Sequence, residues 1–294
     1  ELKSADIENL LYSYVAGVQY EIHLNERITL SEFYFERSLP KASLLLYNAW
    51  YVYDYFRFSS SPASDSVKVL APPHEDSNPS GRDYAGADLN AWIHDMFNPE
   101  LPYTERDPFP GGEGVNRRIG YSDLSSEEQD YLNRQKSLSL FNFLNPAIFL
   151  IDRIKLSDGL SFNFFTQYSP THFGNDLALF VPVNFRKFGV MLNAHRYSNK
   201  NNSGIGAGLG IYNPGASGKV RSVLRLNVWS QPESFFSDSK VNGGYIAFRT
   251  QYMFSNTFSG FVSVSGKTKG WLMGSPYLDS NASVQAGIAY ELLK

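Results

Sequence analysis

From about residue 160 onward the chain repeats one pattern: roughly ten residues in strict alternation, then a turn. Leu160, Phe162, Phe164, Thr166 and Tyr168 share one face, while Ser161, Asn163, Phe165 and Gln167 share the other. Phe188, Val190, Leu192 and Ala194 oppose Gly189, Met191, Asn193 and His195. Ile205, Ala207, Leu209 and Ile211 oppose Gly204, Gly206, Gly208 and Gly210. Val220, Leu224, Leu226 and Val228 oppose Arg221, Arg225 and Asn227, and Ile246, Phe248, Tyr252 and Phe254 oppose Tyr245, Arg249 and Gln251. A period of two is the period of a β-strand, so this half of the chain reads as a series of antiparallel strands.

Alternation leaves open which face is inside, since a soluble sandwich or lipocalin-like barrel also alternates, with its apolar side inward. Three features favour the inverted arrangement. Most runs reach the ~9–11 residues of a tilted membrane strand, against the ~5–6 common in soluble sheets. The polar face is rich in Gly, Ser, Asn, Gln and Arg and poor in Lys and Glu, which suits an enclosed lumen. Tyr and Phe gather near run ends, as at Tyr20, Tyr168, Tyr197, Tyr212, Trp229, Phe254 and Tyr290, the pattern of interfacial girdles. Composition agrees: 15% aromatic but only 19% charged residues, with a mean hydropathy of −0.29, exclude a helical membrane protein. The absence of cysteine removes disulfides, thiolate metal sites and a cysteine nucleophile. A net charge of −3 gives no bulk reason to bind nucleic acid.

The N-terminal end repeats the alternation. Tyr12, Tyr14, Ala16, Val18, Tyr20 and Ile22 form one row, and Leu45, Tyr47, Ala49, Tyr51, Tyr53 and Tyr55 another. Strands are therefore expected near 11–23, 27–37, 43–58, 148–157, 160–169, 176–186, 188–198, 204–213, 219–230, 242–254, 257–267 and 282–292. The predicted fold is all-β: a transmembrane antiparallel up-and-down β-barrel of about twelve strands, within a range of about ten to fourteen. Ile7, Leu10, Leu11, Tyr14, Val15 and Val18 also fit one face of a helix, with Ser4 as its cap. Pro182 is out of place in the middle of a strand.

Residues 59–147 break the pattern. They hold 9 of the 15 prolines and carry 14 acidic against 7 basic residues. The chain thus divides into N-terminal barrel strands over 1–58, a long, acidic, Pro-rich and partly helical insertion over 59–147, and C-terminal barrel strands over 148–294. In the insertion, Leu89, Trp92, Ile93, Met96 and Phe97 form a single apolar helical stripe after Asp88, and Ser125-Ser126-Glu127-Glu128 has the form of a capping box. Irregular backbone is not tolerated in the hydrocarbon zone, so the insertion is expected outside the membrane or folded into the lumen as a plug.

The polar faces nominate Asn193, His195, Arg221, Arg225, Asn227, Arg249 and Gln251 as lumen-lining residues. The arginines suggest an ion-pair network with the insertion, through Asp88, Asp95 or Glu105, or a weak preference for anions. The alternating glycines 204–210 indicate a close approach inside the barrel, not a phosphate loop, because no helix follows them. No His or carboxylate spacing makes a metal site, and no cofactor is called for.

The stretch Leu192-Asn193-Ala194-His195-Arg196-Tyr197-Ser198-Asn199, followed by Asn213-Pro214-Gly215, resembles the outer-membrane lipid A deacylases and phospholipases. That resemblance implies lipid-ester hydrolysis by His195 and Ser198. Those families place the two residues at i and i+2, whereas here they are three apart, which in an unbroken strand directs them to opposite faces. As a whole, the insertion containing Pro110-Gly111-Gly112-Glu113-Gly114 followed by a barrel-like C-terminal half resembles Bacteroidota-type outer-membrane barrels of no assigned activity. The resemblance implies a Gram-negative outer-membrane location, contact with outer-membrane lipid including lipopolysaccharide, and a protein partner there. The expected function is an accessory or scaffold subunit of an outer-membrane complex, with the insertion as partner-binding surface or plug. A lipid-ester hydrolase and a small-solute channel are the alternatives.

Overall fold

The computed structural model describes residues 2–34, 39–70, 87–101, 119–185, 188–213, 219–255 and 257–290. Helices come first: α1 (Leu2–Ala5), α2 (Ile7–Tyr34), α3 (Leu39–Ser59), α4 (Asp88–Phe97) and α5 (Ser126–Ser139). Ten strands follow: β1 (Ile154–Ser157), β2 (Leu160–Phe162), β3 (Phe165–Thr171), β4 (Gly174–Phe185), β5 (Phe188–Ser198), β6 (Ser203–Tyr212), β7 (Val220–Pro232), β8 (Lys240–Met253), β9 (Phe258–Lys267) and β10 (Asn281–Tyr290).

The N-terminal expectation is corrected. The strands expected over 11–23, 27–37 and 43–58 give way to α2 and α3 wherever those residues are described, so the described residues of 1–58 do not supply barrel strands. In α2 the buried side chains are Leu10, Leu11, Tyr14, Val15, Val18 and Ile22, at helical spacing, while Tyr20 of the alternating row is exposed. In α3, Leu45, Asn48, Ala49, Val52 and Phe56 are buried, and Tyr47, Tyr51 and Tyr55 stack along the helix with centroids 6.3 and 6.4 Å apart. A segment this dense in apolar and aromatic residues satisfies both periods, and tertiary packing selects the helix. Asp6, not Ser4, caps α2: the Asn9 backbone N–H donates to Asp6 Oδ1 at 3.1 Å.

The helices anticipated in the insertion are present. Ser125 and Glu128 form the reciprocal capping box, with Ser125 N–H donating to Glu128 Oε2 at 2.6 Å and Glu128 N–H to Ser125 Oγ at 3.4 Å. Asp88 is the first residue of α4 and does not cap it; its N–H donates to the Tyr55 hydroxyl at 2.9 Å. The α4 stripe is core: Leu89, Trp92, Ile93 and Met96 are buried against α2, α3 and α5, and Phe97 packs at their margin. The segment 102–118, with Glu105 and the Pro110–Gly114 run, lies outside the described residues.

All ten strands belong to one antiparallel sheet of order β1-β2-β4-β5-β6-β7-β8-β9-β10, with β3 paired to β4 off that path. The sheet is mostly up-and-down, and it is not closed among the described residues. The run expected over 160–169 is split. β2 pairs Val183–Phe185 of β4, and β3 pairs Gly174–Phe180. Pro182 sits opposite the break, where its missing N–H interrupts no ladder; its carbonyl accepts from Asn163 N–H at 3.0 Å.

The two faces of the sheet differ sharply. One cross-strand row runs Val190, Ile211, Leu224, Phe248, Val264, Val284, and a second runs Val181, Leu192, Leu209, Leu226, Ile246. Many of these outward side chains are exposed, Val284 at 75%. The opposite face carries the small and polar residues and receives α2. Gln167 Nε2 donates to Ile22 O at 2.9 Å, Gln19 Nε2 to Pro170 O at 2.7 Å, and Tyr34 OH to Val190 O at 2.7 Å. No helix among the described residues is long and apolar enough to cross a membrane.

Candidate functional site

The inner glycines are covered by neighbouring side chains. A Cβ at Gly206 would fall 2.7 Å from the Tyr197 hydroxyl, at Gly208 it would strike Asn193 and Asn227, and at Gly210 it would lie 2.8 Å from the Tyr212 ring. Tyr212 in turn stacks on Tyr34 of α2, with centroids 4.4 Å apart. The glycine row thus lets long polar and aromatic side chains lie flat beneath α2.

Beside this packed zone, between α2 and the inner face of β5–β10, lies a cavity of about 1490 Å³. Asn193, His195, Arg221, Arg225, Asn227, Arg249 and Gln251, the residues singled out from strand parity, all line it. The register explains their convergence. Arg249 faces Val223, which places Arg221 and Arg225 as its two diagonal neighbours on β7. Asn193 Nδ2 donates to Asn227 Oδ1 at 3.2 Å across the intervening Gly208. The Arg249 guanidinium lies 3.9 Å above the Phe261 ring.

Two acidic partners come from places that strand parity did not nominate. Glu26 of α2 stands 3.8 Å from Arg225 Nη1 and 3.4 Å from His23 Nδ1. Burial on its own would raise the Glu26 carboxyl, but its contact with His23 and the Arg225 charge outweigh burial and hold it at about 2. Asp176 of β4 meets His195, with Oδ2 2.9 Å and Oδ1 3.1 Å from Nδ1. His195 faces Ala178, so Asp176 reaches it along the diagonal over a small residue. Of the insertion carboxylates suggested for the arginines, the two among the described residues, Asp88 and Asp95, have contacts elsewhere. Asp95 pairs with Lys3 at 2.9 Å and accepts from Tyr14 OH at 3.0 Å, both buried, and Asp88 lies beside Tyr55.

The structure does not bring His195 and Ser198 together. β5 pairs without interruption over Phe188–Ser198 with β4 and over Gly189–Ser198 with β6, with no bulge, so His195 faces the cavity and Ser198 has the opposite parity. The next side chain on the His195 face is Tyr197, stacked at 5.6 Å. Glu233, just after β7, pairs with Lys269 at 3.3 Å. Among the described residues no group of three or more His, Cys, Asp or Glu is placed to hold a metal ion.

The cavity is cationic. Arg27, Lys41, Lys219, Arg221, Arg225, Arg249 and Lys267 line it, against Glu26 alone among carboxylates of the described residues. Such an arrangement can hold an anion or shape the passage of one. Comparison with protein-family models, with curated proteins and with solved structures finds no match to this chain.

Proposed function

We propose that this chain is a membrane-seated β-barrel-type scaffold of a Gram-negative outer membrane, with α2 and the helical layer filling the polar side of its sheet. The observation that carries the reading is the inverted sheet. Its apolar rows face outward across six consecutive strands, and its Gly/Asn/Arg face turns toward α2. Each outward Leu, Ile, Val or Phe gains about 1.5–3 kcal/mol on leaving water. A face with a dozen of them is a poor surface for a protein in water and a good one against lipid tails. β6 to β10 have 10, 13, 14, 10 and 10 residues, enough to cross a hydrocarbon core when tilted. A subunit role is supported by the sheet's ends. Unpaired backbone is costly in lipid, and the ten residues of β10 find no match in the four of β1. A partner's strand at the β10 edge would satisfy them.

Detergent dependence and heat-modified gel mobility test the membrane seating. Stability only in detergent and a boiling-dependent shift are expected, whereas a monodisperse protein in plain buffer would overturn the reading. Because the chain lacks cysteine, Ala286→Cys carries a single thiol for crosslinking in native membranes. A discrete adduct supports the scaffold role, and an absence of any adduct removes it. Anion conduction is the second reading, favoured by the cationic cavity; conductance steps in planar bilayers would distinguish it.

A further inference from the structure

We propose that the exposed side of α3, together with the turn at residues 149–151, is a lipid-contact surface that carries the apolar wall past the β3 edge of the open sheet. It rests on the membrane seating proposed above and extends it to a helix that strand parity does not reach.

The first observation is that α3 is largely apolar on both sides. Leu45, Ala49, Val52 and Phe56 are buried on its inner side. A helix docked by one face in water carries polar and charged residues on the other. Here the other face presents Leu46, Tyr47, Trp50 and Tyr51, between 46% and 61% exposed. Residues 42–53 include no Asp, Glu, Lys or Arg. Lys41 precedes them, and the Asp54–Arg57 pair follows, with Oδ1 2.7 Å from Nη2.

The second observation is an apolar tip beside this face. Residues 137–151 also lack charge. Ala147 and Ile148 are buried in one cluster with Leu45 and Ala49, which fixes the turn to α3. Leu150 then adopts φ 64° and ψ 21°, the left-handed region, as the only non-glycine residue with positive φ among the described residues. Its N–H donates to Ala147 O at 3.0 Å, the Ile151 N–H to Pro146 O at 3.0 Å, and Asn163 Nδ2 to Ile151 O at 2.9 Å. This braced turn leaves Phe149, Leu150 and Ile151 exposed, Phe149 at 69%. Three consecutive exposed apolar side chains are unfavourable in water and favourable against hydrocarbon.

The third observation is continuity. An outward row of the sheet runs Val228, Ala207, Ala194, Leu179, Thr166 and ends on β3, which pairs only β4 among the described strands. The segment 141–144 takes up the other edge of β3: Thr166 N–H donates to Leu144 O at 3.0 Å, and Thr166 Oγ1 to Phe141 O. Phe141 and Leu144 are exposed there. Phe143 meets Tyr53 of α3 edge-on, with centroids 6.4 Å apart. The apolar surface thus passes from the sheet through this segment to the helix.

The charge pattern selects lipid as the occupant. An uncharged band with charges kept to its ends matches hydrocarbon bounded by headgroups, and Tyr and Trp rings suit that boundary. A protein-binding patch would be enriched in Arg as well as aromatics, and neither uncharged stretch holds one.

The test is tryptophan fluorescence of the full chain refolded into vesicles of brominated or unbrominated phosphatidylcholine. Of the four tryptophans, Trp50 is 53% exposed, while Trp92, Trp229 and Trp271 are buried. Emission is expected to fall in brominated vesicles, and that fall is expected to be lost in Trp50→Phe, or in Trp50→Tyr should the first variant not fold. Phe248→Trp on the same background reports separately on the outward face of the sheet. A fall that is equal in the wild type and the Trp50 variant, or absent from both, overturns the proposal. In that event, quenching of the Phe248→Trp variant keeps the membrane reading, and its absence removes both. Quenching of Trp50 without quenching of the Phe248→Trp variant upholds the α3 contact and takes the sheet out of lipid. Trp50 emission lowered by aqueous iodide but not by bromine marks a water-facing helix, and emission lowered by neither marks a helix covered by protein; both overturn the proposal.

Discussion

His195 and Asp176, nineteen positions apart on neighbouring strands, form a carboxylate–imidazole pair 2.9 Å long at the wall of the cavity. Asp176 is 3% exposed, so removing one partner strands the other in a poorly solvated place. Asp176→Ala is expected to destabilise by about 1–3 kcal/mol. In a double-mutant cycle with His195→Gln, the coupling should be on the order of 0.5–3 kcal/mol. Denaturant unfolding of the four proteins measures it, and strictly additive effects would show that the pair contributes nothing.

The buried Lys3–Asp95 pair ties α1 to α4, and the Tyr14 hydroxyl completes it. Asp95→Ala leaves an ammonium in the core without its carboxylate and is expected to cost about 3–5 kcal/mol. The readout is the unfolding midpoint together with protease cleavage in the N-terminal helices. A change below about 1 kcal/mol would contradict the buried geometry.

His172 sits in the turn between β3 and β4, and burial depresses its imidazole to about 3. The unfolded chain takes up this proton below about 6.5, while the folded chain does not until about 3. The stability due to the neutral ring is therefore complete above about 6.5 and is lost as pH falls through that window, by up to ~1.4 kcal/mol per pH unit. Unfolding midpoints measured from pH 7 down to pH 5 should fall in the wild type and fall less in His172→Gln. Parallel curves would refute the assignment.

Two glycines give opposite forecasts. A Cβ at Gly204 would run into the Ser230 backbone carbonyl, whereas one at Gly266 meets nothing within 4 Å. Gly204→Ala is expected to lose about 1–3 kcal/mol or to distort the β6–β7 pairing, and Gly266→Ala should stay within about 0.5 kcal/mol of the wild type. Thermal or chemical unfolding of both variants gives the comparison.

Phe248 and Val264 are cross-strand partners on the exposed apolar face. If lipid covers this face, Phe248→Arg should lower stability in bilayers by about 2–4 kcal/mol. In a water-facing sheet the same change would be near neutral and would raise solubility. Refolding into vesicles separates the two outcomes.

Strand alternation is a local property, and the sequence by itself determined it: residues 188–198 form β5 at the expected bounds, and 204–213 and 257–267 deviate by a residue. Parity on β5, β7 and β8 likewise sufficed to group Asn193, Arg221, Arg225 and Arg249 on one side, because a period of two leaves no choice of face once pairing is unbroken. Tertiary structure decided the rest. In 7–34 and 39–59 the aromatic density fits two periods, and only burial against α4, α5 and the sheet distinguishes helix from strand. The partners of the cavity cations were invisible for a related reason. Glu26 reaches Arg225 across about 200 positions, and Asp176 reaches His195 along a diagonal that exists only when β4 and β5 are in register. Long-range charge pairing follows from how elements dock, which no local pattern encodes.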